Sequence, residues 1–204
     1  PDLSEFDPVS LEELENSEAR LMSRKEKKFL MTLDQCRGLL SDLKDTYRVL
    51  EIGNSKIGRY ETVYYDTDTF MMYLQHHNGK AHRYKVRSRF YCSTNKTFLE
   101  VKERKNTGRT VKKRLETGSA GPLTEEKPAE FLKNAFPYDI TMFHPVLSTI
   151  YSRVTLVSKD LVERMTLDLS LSFRNRETRY VLPGIVVGEI KYNQPLSCSR
   201  AFSG

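Results

Sequence analysis

Residues 83–114 contain three short segments in which basic and apolar side chains alternate. The segments are 83–89 (RYKVRSR), 98–102 (FLEVK) and 110–114 (TVKKR). Successive side chains of a β-strand point to opposite faces, so this alternation predicts three strands, each with one apolar and one cationic face. The cationic faces would carry Lys85, Arg87, Arg89, Lys102, Lys112 and Arg114, together with the carboxylate of Glu100.

The cationic faces have two interpretations. They could be the solvated outer side of an antiparallel sheet, which is what such alternation usually indicates. A solvated side normally mixes Thr, Ser, Glu, Gln and Lys, whereas this one is dominated by Arg and Lys. It could therefore bind a polyanion, with a metal ion near the carboxylate, and the strand pattern alone leaves both interpretations open.

The overall charge is modest. The 204 residues include 33 basic and 27 acidic side chains, which gives a formal net charge of +6. This excess does not by itself indicate a nucleic-acid partner, and the carboxylates interleaved with the cations, without an RNA-binding aromatic motif, argue against one.

No apolar run is long enough for a transmembrane helix. Three widely spaced cysteines without zinc-ligand spacing favour a reducing, cytoplasmic location.

The rest of the chain predicts further strands and few helices. Residues 1–22 are acidic and show little hydrophobic periodicity, so we expect a mobile or loosely helical leader followed by a single domain over 23–204. Asp66 is expected to cap a turn and short helix over 67–75, with a contact to a metal or a sugar as the alternative. Further helices are predicted at 33–50, 130–135 and 144–147, a mobile loop at 117–130, and further strands at 27–32, 60–66, 150–157, 164–172 and 185–192.

This pattern predicts an α+β fold whose sheet is mainly antiparallel, because few helices separate the strands. The apolar faces could pack together as a sandwich. Alternatively, the cationic faces could line a solvated cavity. Such a cavity would require a multiply charged anion inside it, because unpaired buried charge is very costly.

Short motifs along the chain resemble those of a known family. Each motif alone is weak, but their order and spacing together are specific. They are Glu26-Lys-Lys28-Phe29, Tyr64-Tyr-Asp66, Arg87-Ser-Arg89-Phe-Tyr91, Phe98-Leu-Glu100-Val-Lys102, Val111-Lys112-Lys-Arg114, Tyr151-Ser-Arg153, Arg164-Met-Thr-Leu-Asp168 and Glu189-Ile-Lys191. From Glu26 to Tyr192 the chain resembles the VTC (vacuolar transporter chaperone) domain of polyphosphate polymerases, in the triphosphate tunnel metalloenzyme superfamily that also holds the CYTH proteins. Residues 77–87 look particularly like bacterial members.

The resemblance implies a tunnel-shaped β-barrel with a polar, cationic interior and flanking helices. The residues implied to line it and grip the triphosphate are Lys28, Arg87, Arg89, Lys102, Lys112, Arg153 and Arg164. The implied second contributors are Lys85, Arg114, Lys191 and Asp168. Glu189 is the implied main ligand of Mn²⁺ or Mg²⁺, and Glu26 and Glu100 are implied to help set the metal or the cations.

The implied reaction is the metal-dependent transfer of a phosphoryl group from ATP or another nucleoside triphosphate to a growing inorganic polyphosphate chain. Positioning and charge neutralisation supply most of the rate in such reactions. Two alternatives stay open: hydrolysis of tripolyphosphate with water as the acceptor, and a non-catalytic module that binds polyphosphate or another polyanion. A membrane-protein partner is compatible with either an enzyme or a binding module.

Two features depart from the family pattern. His76 and His77 stand where yeast-type domains have an arginine. The chain also stops at Gly204 without the further strand that carries a Ser-Lys pair in family members. We therefore expect weak or no activity from this chain, because a tunnel without that wall would leave the triphosphate partly solvated, where each electrostatic contact is weaker.

Overall fold

The computed structural model of the protein describes residues 1–17 and 25–192. The helices are α1 (Leu11–Asn16), α2 (Leu33–Leu43), α3 (Met71–His77), α4 (Glu126–Ala135) and a 3₁₀ helix (Ile140–Met142). The strands are β1 (Pro8–Val9), β2 (Lys25–Thr32), β3 (Tyr47–Leu50), β4 (Gly58–Asp66), β5 (Arg83–Tyr91), β6 (Lys96–Arg104), β7 (Thr110–Thr117), β8 (His144–Ser158), β9 (Glu163–Arg174), β10 (Arg179–Val181) and β11 (Ile185–Tyr192). The expected α+β class with a mainly antiparallel sheet is confirmed.

The chain forms two compact units, where the sequence predicted a single domain. Unit 1 comprises Pro1–Arg59, Tyr151–Leu171 and Val181–Gly204. Unit 2 comprises Tyr60–Ile150 and Ser172–Tyr180. Each unit has its own apolar core, and each carries part of the charged set identified from the sequence.

In unit 1, β11 pairs antiparallel with both β2 and β9. In the same unit β3 pairs antiparallel with β8, and β1 pairs parallel with β3. The core of this unit includes Tyr47, Val154, Leu156, Leu167 and Ile190, each fully buried. Val154 and Leu156 occupy alternate positions of β8, so their side chains point to the same face of that strand.

Helix α2 begins at a capping box. The Thr32 side chain accepts a hydrogen bond from the Gln35 backbone, and the Gln35 side chain accepts one from the Thr32 backbone, which satisfies two N–H groups at the helix start. The prediction that this helix continues to residue 50 is wrong, because it ends at Leu43 and residues 47–50 form β3. Tyr47 and Val49 are buried at alternate positions, which is the period of a strand and not of a helix.

Residues 1–17 are the described part of the predicted leader. This segment contains β1 and α1, and four of its apolar side chains are buried: Leu3, Phe6, Val9 and Leu14. Its acidic side chains stay at the surface, where Glu13 pairs with Arg48. Residues 18–22, the rest of the predicted leader, lie outside the described residues.

In unit 2, β4, β5, β6 and β7 form an antiparallel meander. One face of the meander is apolar, as the alternation predicted. Val86, Leu99 and Val101 lie on it and belong to one buried cluster with Leu132 and Phe136 of the α4 region. The basic side chains of β5–β7 other than Lys113 therefore share the other face.

Two local predictions in unit 2 are wrong. The predicted loop 117–130 contains the start of α4, in which Pro128 is the third residue. Proline is tolerated there because an N–H in the first helical turn has no partner within the helix. Residues 144–147 are the beginning of β8 and not a helix, and Pro145 is acceptable near the start of a strand.

The longest helix of the described residues is α2, with 11 residues. No helix within 1–17 or 25–192 has the length and apolar character needed to cross a membrane.

Candidate functional site

Three lysines lie side by side on the cationic face of unit 2. Lys85 of β5 is the register partner of Lys102 of β6, and Lys102 is the register partner of Lys112 of β7. Like charges at directly opposite positions of neighbouring strands destabilise a sheet. This lysine row (Lys85, Lys102 and Lys112) is therefore an arrangement that a bound anion would stabilise.

The next row of the same face contains one carboxylate between two arginines. Glu100 is the register partner of Arg87 on one side and of Arg114 on the other. Glu100 is only 2% exposed, and its Oε2 accepts a hydrogen bond of 2.7 Å from Arg87 Nε. Its Oε1 forms an ion pair with Lys112. Glu100 therefore positions two of the cations around it.

The pKa shifts of this group follow from burial and charge. Burial alone would raise the pKa of Glu100, but Arg87 and Lys112 outweigh it, so the pKa is lowered. Burial lowers the pKa of Lys112, and Glu100 offsets this only in part. The protonated form of Lys112 is thus disfavoured by its surroundings, which a nearby anion would reverse.

Aromatic and hydroxyl side chains hold the arginines of unit 2. The pKa of Tyr64 is lowered despite burial because of the adjacent cations, Arg87 first among them. Arg89 is 8% exposed, and its Nε donates a hydrogen bond of 3.1 Å to Thr62 Oγ1. The Arg114 guanidinium lies 4.9 Å from the centre of the Phe98 ring, a cation–π distance. The guanidinium groups are therefore fixed in place.

A second charged group lies in unit 1, on β2 and β11. Glu189 is the register partner of Lys28, and their side chains form an ion pair at 3.4 Å. Lys28 also pairs with Glu26, and Glu189 pairs with Lys191. Glu189 and Lys191 are 17% and 16% exposed, against 55% for Lys28. Two carboxylates and two ammonium groups thus alternate across these two strands.

Strands β8 and β9 add two arginines to unit 1. Arg153 donates hydrogen bonds from Nε and Nη2 to the two carboxylate oxygens of Asp168, at 2.6 and 2.7 Å. Arg164 is the register partner of Lys191, so a second pair of like charges lies at directly opposite positions. Asp168 fixes one arginine in a bidentate contact, which is the strong geometry for a guanidinium and a carboxylate.

The chemistry of the carboxylates decides which metal could fit. Within the described residues no three His, Cys, Asp or Glu side chains form a ready metal cluster. Glu189 has a buried oxygen, Oε1, that receives no hydrogen bond of ordinary geometry from any described residue, although Lys191 forms an ion pair with it. Glu189 and the nearby Glu26 offer oxygen ligands, and a site with few protein oxygens suits Mg²⁺ or Mn²⁺ that is also bound to phosphate.

The residues suggested by the sequence thus fall into two groups, one in each unit. The unit 2 group contains Lys85, Arg87, Arg89, Glu100, Lys102, Lys112 and Arg114. The unit 1 group contains Glu26, Lys28, Arg153, Arg164, Asp168, Glu189 and Lys191. Sequence reasoning missed the partners that hold the arginines, Thr62 and Tyr64, because strand register, which places them opposite Arg89 and Arg87, cannot be read from local sequence.

The interpretation of Asp66 as a cap is confirmed. Its Oδ1 accepts hydrogen bonds from the backbone N–H groups of Thr67 and Met72, at 2.8 and 2.9 Å. Its Oδ2 accepts one from the Tyr73 N–H at 2.8 Å. The carboxylate is therefore occupied by the start of α3.

Comparison with known proteins identifies the family. The family model of the VTC domain matches residues 23–201. The chain is similar in structure to a proposed adenylate cyclase from Bacillus halodurans, at 15% sequence identity and a TM-score of 0.53, covering 82% of this chain and 79% of that chain. It is also similar to a proposed adenylyl cyclase from Hippeastrum that reveals a dominant triphosphatase activity, at 16% identity and a TM-score of 0.47, covering 85% and 81% of the two chains. No curated protein matches the sequence.

The similarity to the Bacillus halodurans structure concerns the fold, since the two sequences are only 15% identical. The family model is the stronger finding, because it matches nearly the whole chain in sequence and includes every strand that carries the charged groups. The resemblance seen in the motifs is confirmed, and the chain belongs to the VTC domain family.

Proposed function

We propose that this chain catalyses the metal-dependent transfer of a phosphoryl group from a nucleoside triphosphate such as ATP to inorganic polyphosphate. The observation that carries the proposal is the lysine row, in which Lys85, Lys102 and Lys112 are register partners on three adjacent strands. Like charges so placed repel one another. A linear polyphosphate would relieve this repulsion along the whole row. Membership of the VTC domain family supports the same class of ligand.

The charged group of unit 2 would bind phosphate. Arg87, Arg89 and Arg114 lie beside the lysine row, and each guanidinium is held by a hydrogen bond or an aromatic ring. Guanidinium groups fixed in this way can contact two phosphate oxygens at once, whereas each lysine acts as a point charge. Glu100 would position the cations, since it is only 2% exposed and is ion-paired with Arg87 and Lys112, whereas Glu189 is 17% exposed.

Unit 1 would hold the metal. Glu189 is the proposed ligand, with Glu26 in support. The carboxylate of Glu189 is largely shielded from solvent and forms ion pairs with Lys28 and Lys191, and these lysines would bind phosphate instead when the metal is present. When bound, Mn²⁺ or Mg²⁺ would neutralise charge on the phosphate oxygens. Phosphate oxygens would be bound within this unit by Lys28, Lys191, Arg153 and Arg164. Asp168 would orient Arg153.

The test is to incubate the protein with ATP and Mn²⁺, then to separate the products on a gel that resolves polyphosphate chains and to measure free phosphate. Polyphosphate chains that form only with the metal present, even in small amounts, would support the proposal. Free phosphate without chains would show that the protein is a hydrolase and not a transferase. If neither product forms and tripolyphosphate binds tightly, the protein is a polyanion-binding module and not an enzyme.

Two matched substitutions make the assignment of the metal ligand testable. Glu189→Gln keeps the size of the side chain and removes its charge, so Mn²⁺-dependent turnover should fall by at least about tenfold while binding of tripolyphosphate persists. Glu12→Gln, at an exposed position of α1, is the control and should change neither property. Full activity of Glu189→Gln with Mn²⁺ would exclude Glu189 as the ligand.

A further inference from the structure

Unit 2 contains a cavity of about 660 Å³ that lies next to the lysine row. Its walls come from the end of β4, from α3, from the start of β8 and from residues 173 and 175. Five phenylalanine and tyrosine rings line it: Tyr64, Tyr65, Phe70, Tyr73 and Phe173. A cavity of a few hundred cubic ångströms with apolar and aromatic walls is the usual form of a small-molecule site.

The aromatic residues before and within α3 are unusually placed. Phe70 has a φ of 54°, in the left-handed region that a bulky side chain rarely adopts. Its side chain is nevertheless half exposed, at 51%, and Tyr73 is 60% exposed. Strained backbone together with exposed aromatic rings at a cavity is typical of a ligand site. Phe70 is absent from the buried cluster of unit 2, so its ring is not part of that core.

The cavity connects to the lysine row through Lys85. Lys85 lines the cavity, and its Nζ lies 5.6 Å from the centre of the Tyr64 ring, which also lines it. The same lysine is the register partner of Lys102. A ligand with its phosphates on the lysine row would therefore have its other end at the aromatic walls.

The polar groups of the cavity are compatible with a nucleoside. His76 lines the cavity, and its Nδ1 accepts a hydrogen bond from Arg83 Nε at 3.2 Å. Burial, and then the nearby cations beginning with Lys85, lower the pKa of His76 to about 4. The ring is neutral at physiological pH with its proton on Nε2, where it can donate to a hydroxyl or a base nitrogen. Asp66 also lines the cavity, but the N–H groups at the start of α3 occupy its carboxylate.

From these placements we propose that the cavity binds the base and sugar of the nucleoside triphosphate, with Phe70 and Tyr73 as the stacking residues. The proposal rests on the proposed function, because it assumes that the phosphates occupy the lysine row. Flat aromatic walls suit a nucleobase, since bases stack on aromatic side chains. The cavity would make this chain distinguish a nucleotide from inorganic tripolyphosphate.

The experiment compares the affinities for ATP and for tripolyphosphate by calorimetry, with EDTA present so that no turnover consumes the ligand. Phe70→Gly and Tyr73→Ala should each weaken ATP binding about tenfold, the loss expected for one stacking contact. Both variants should bind tripolyphosphate as the unchanged protein does. Tyr180→Ala removes a ring that is 64% exposed and does not line the cavity, and it should change neither affinity.

Phe70→Gly also separates a binding role from a structural one. Glycine adopts a positive φ without strain, so this variant should melt at a higher temperature while it binds ATP more weakly. Unchanged ATP affinity in both variants, or equal losses for ATP and tripolyphosphate, would overturn the proposal. Failure of the unchanged protein to bind tripolyphosphate would overturn the proposed function, and this inference with it.

Discussion

Arg87 and Glu100 are register partners on β5 and β6, and Arg87 Nε donates a hydrogen bond of 2.7 Å to Glu100 Oε2. Glu100 is the most buried carboxylate of the cationic face. Its two oxygens contact Arg87 and Lys112 and not solvent. The face therefore presents positive charge outward, while the carboxylate that orders it lies beneath.

Replacing Glu100 should strongly destabilise the protein. Glu100→Gln leaves Arg87, which is only 23% exposed, without its charged partner. Removing one partner of a buried ion pair typically costs about 3 kcal/mol of unfolding free energy, and urea denaturation at pH 7 would measure it. Glu116→Gln is the control, because Glu116 pairs with Lys96 at the surface and exposed pairs contribute little. Equal losses in the two variants would contradict this account.

Glu100 also makes stability depend on pH. Its pKa is lower in the folded protein than the ordinary value of 4.5, so the unfolded chain takes up a proton first as the pH falls. The stability that Glu100 contributes is thus complete above about pH 5 and is lost as the pH falls through its folded pKa. Denaturation curves of the unchanged protein and of Glu100→Gln should therefore converge as the pH falls from about 5 into the acid range. A constant difference across this range would refute the assignment.

Removing the middle lysine of the row should have opposite effects on the free and the ligand-bound protein. Lys102→Met takes one charge from between Lys85 and Lys112, so the free protein should become more stable by roughly 0.5 kcal/mol. The rise in melting temperature caused by tripolyphosphate should become smaller, since binding stabilises by mass action. Lys113→Met is the control, because Lys113 lies on the opposite face of β7 and donates to the Asn134 carbonyl. A free protein destabilised by Lys102→Met would show that the row is not strained.

Gly188 is required by close packing between β11 and β2. A Cβ built at this position would lie 2.2 Å from the Phe29 ring, on the strand partner of Gly188. Gly188→Ala should therefore lower the unfolding free energy by about 1–3 kcal/mol, because the ring must move in a packed sheet. Gly38→Ala, in α2 with open space around its Cβ position, should instead stabilise by about 0.5–1 kcal/mol. Thermal denaturation of the two variants distinguishes these opposite signs.

Loss of the Asp66 cap should loosen α3 locally. Asp66→Ala removes the acceptor of three backbone N–H groups, and loss of such a cap typically costs about 1–2 kcal/mol. Amide hydrogen exchange at Met72 and Tyr73 should accelerate, while exchange at Val86 in the core of β5 should not. Unchanged exchange at Met72 would contradict the role of this carboxylate.

Local periodicity predicted most strands correctly, because a strand places every second side chain on the same face. Val86, Leu99 and Val101 are buried, and Lys85, Lys102 and Lys112 lie opposite them, as the alternation indicated. The failures lie where the sequence period is weak or short. Residues 47–50 were assigned to a helix, and the start of α4 was assigned to a loop because residues 117–130 are rich in Gly, Pro and Glu.

The sequence by itself determined the composition of the charged faces and, through the order of its motifs, the family. Only the tertiary structure decided which charges meet, because register depends on how separate strands pair. Pairing placed Lys102 beside Lys112, assigned Glu100 to Arg87 and Asp168 to Arg153, and left Glu189 among lysines. The cavity beside Lys85 likewise arises from segments distant in sequence, since Tyr64, Phe70 and Phe173 meet only in the folded chain. Alternation is a property of neighbours along the chain, whereas a site is a property of neighbours in space.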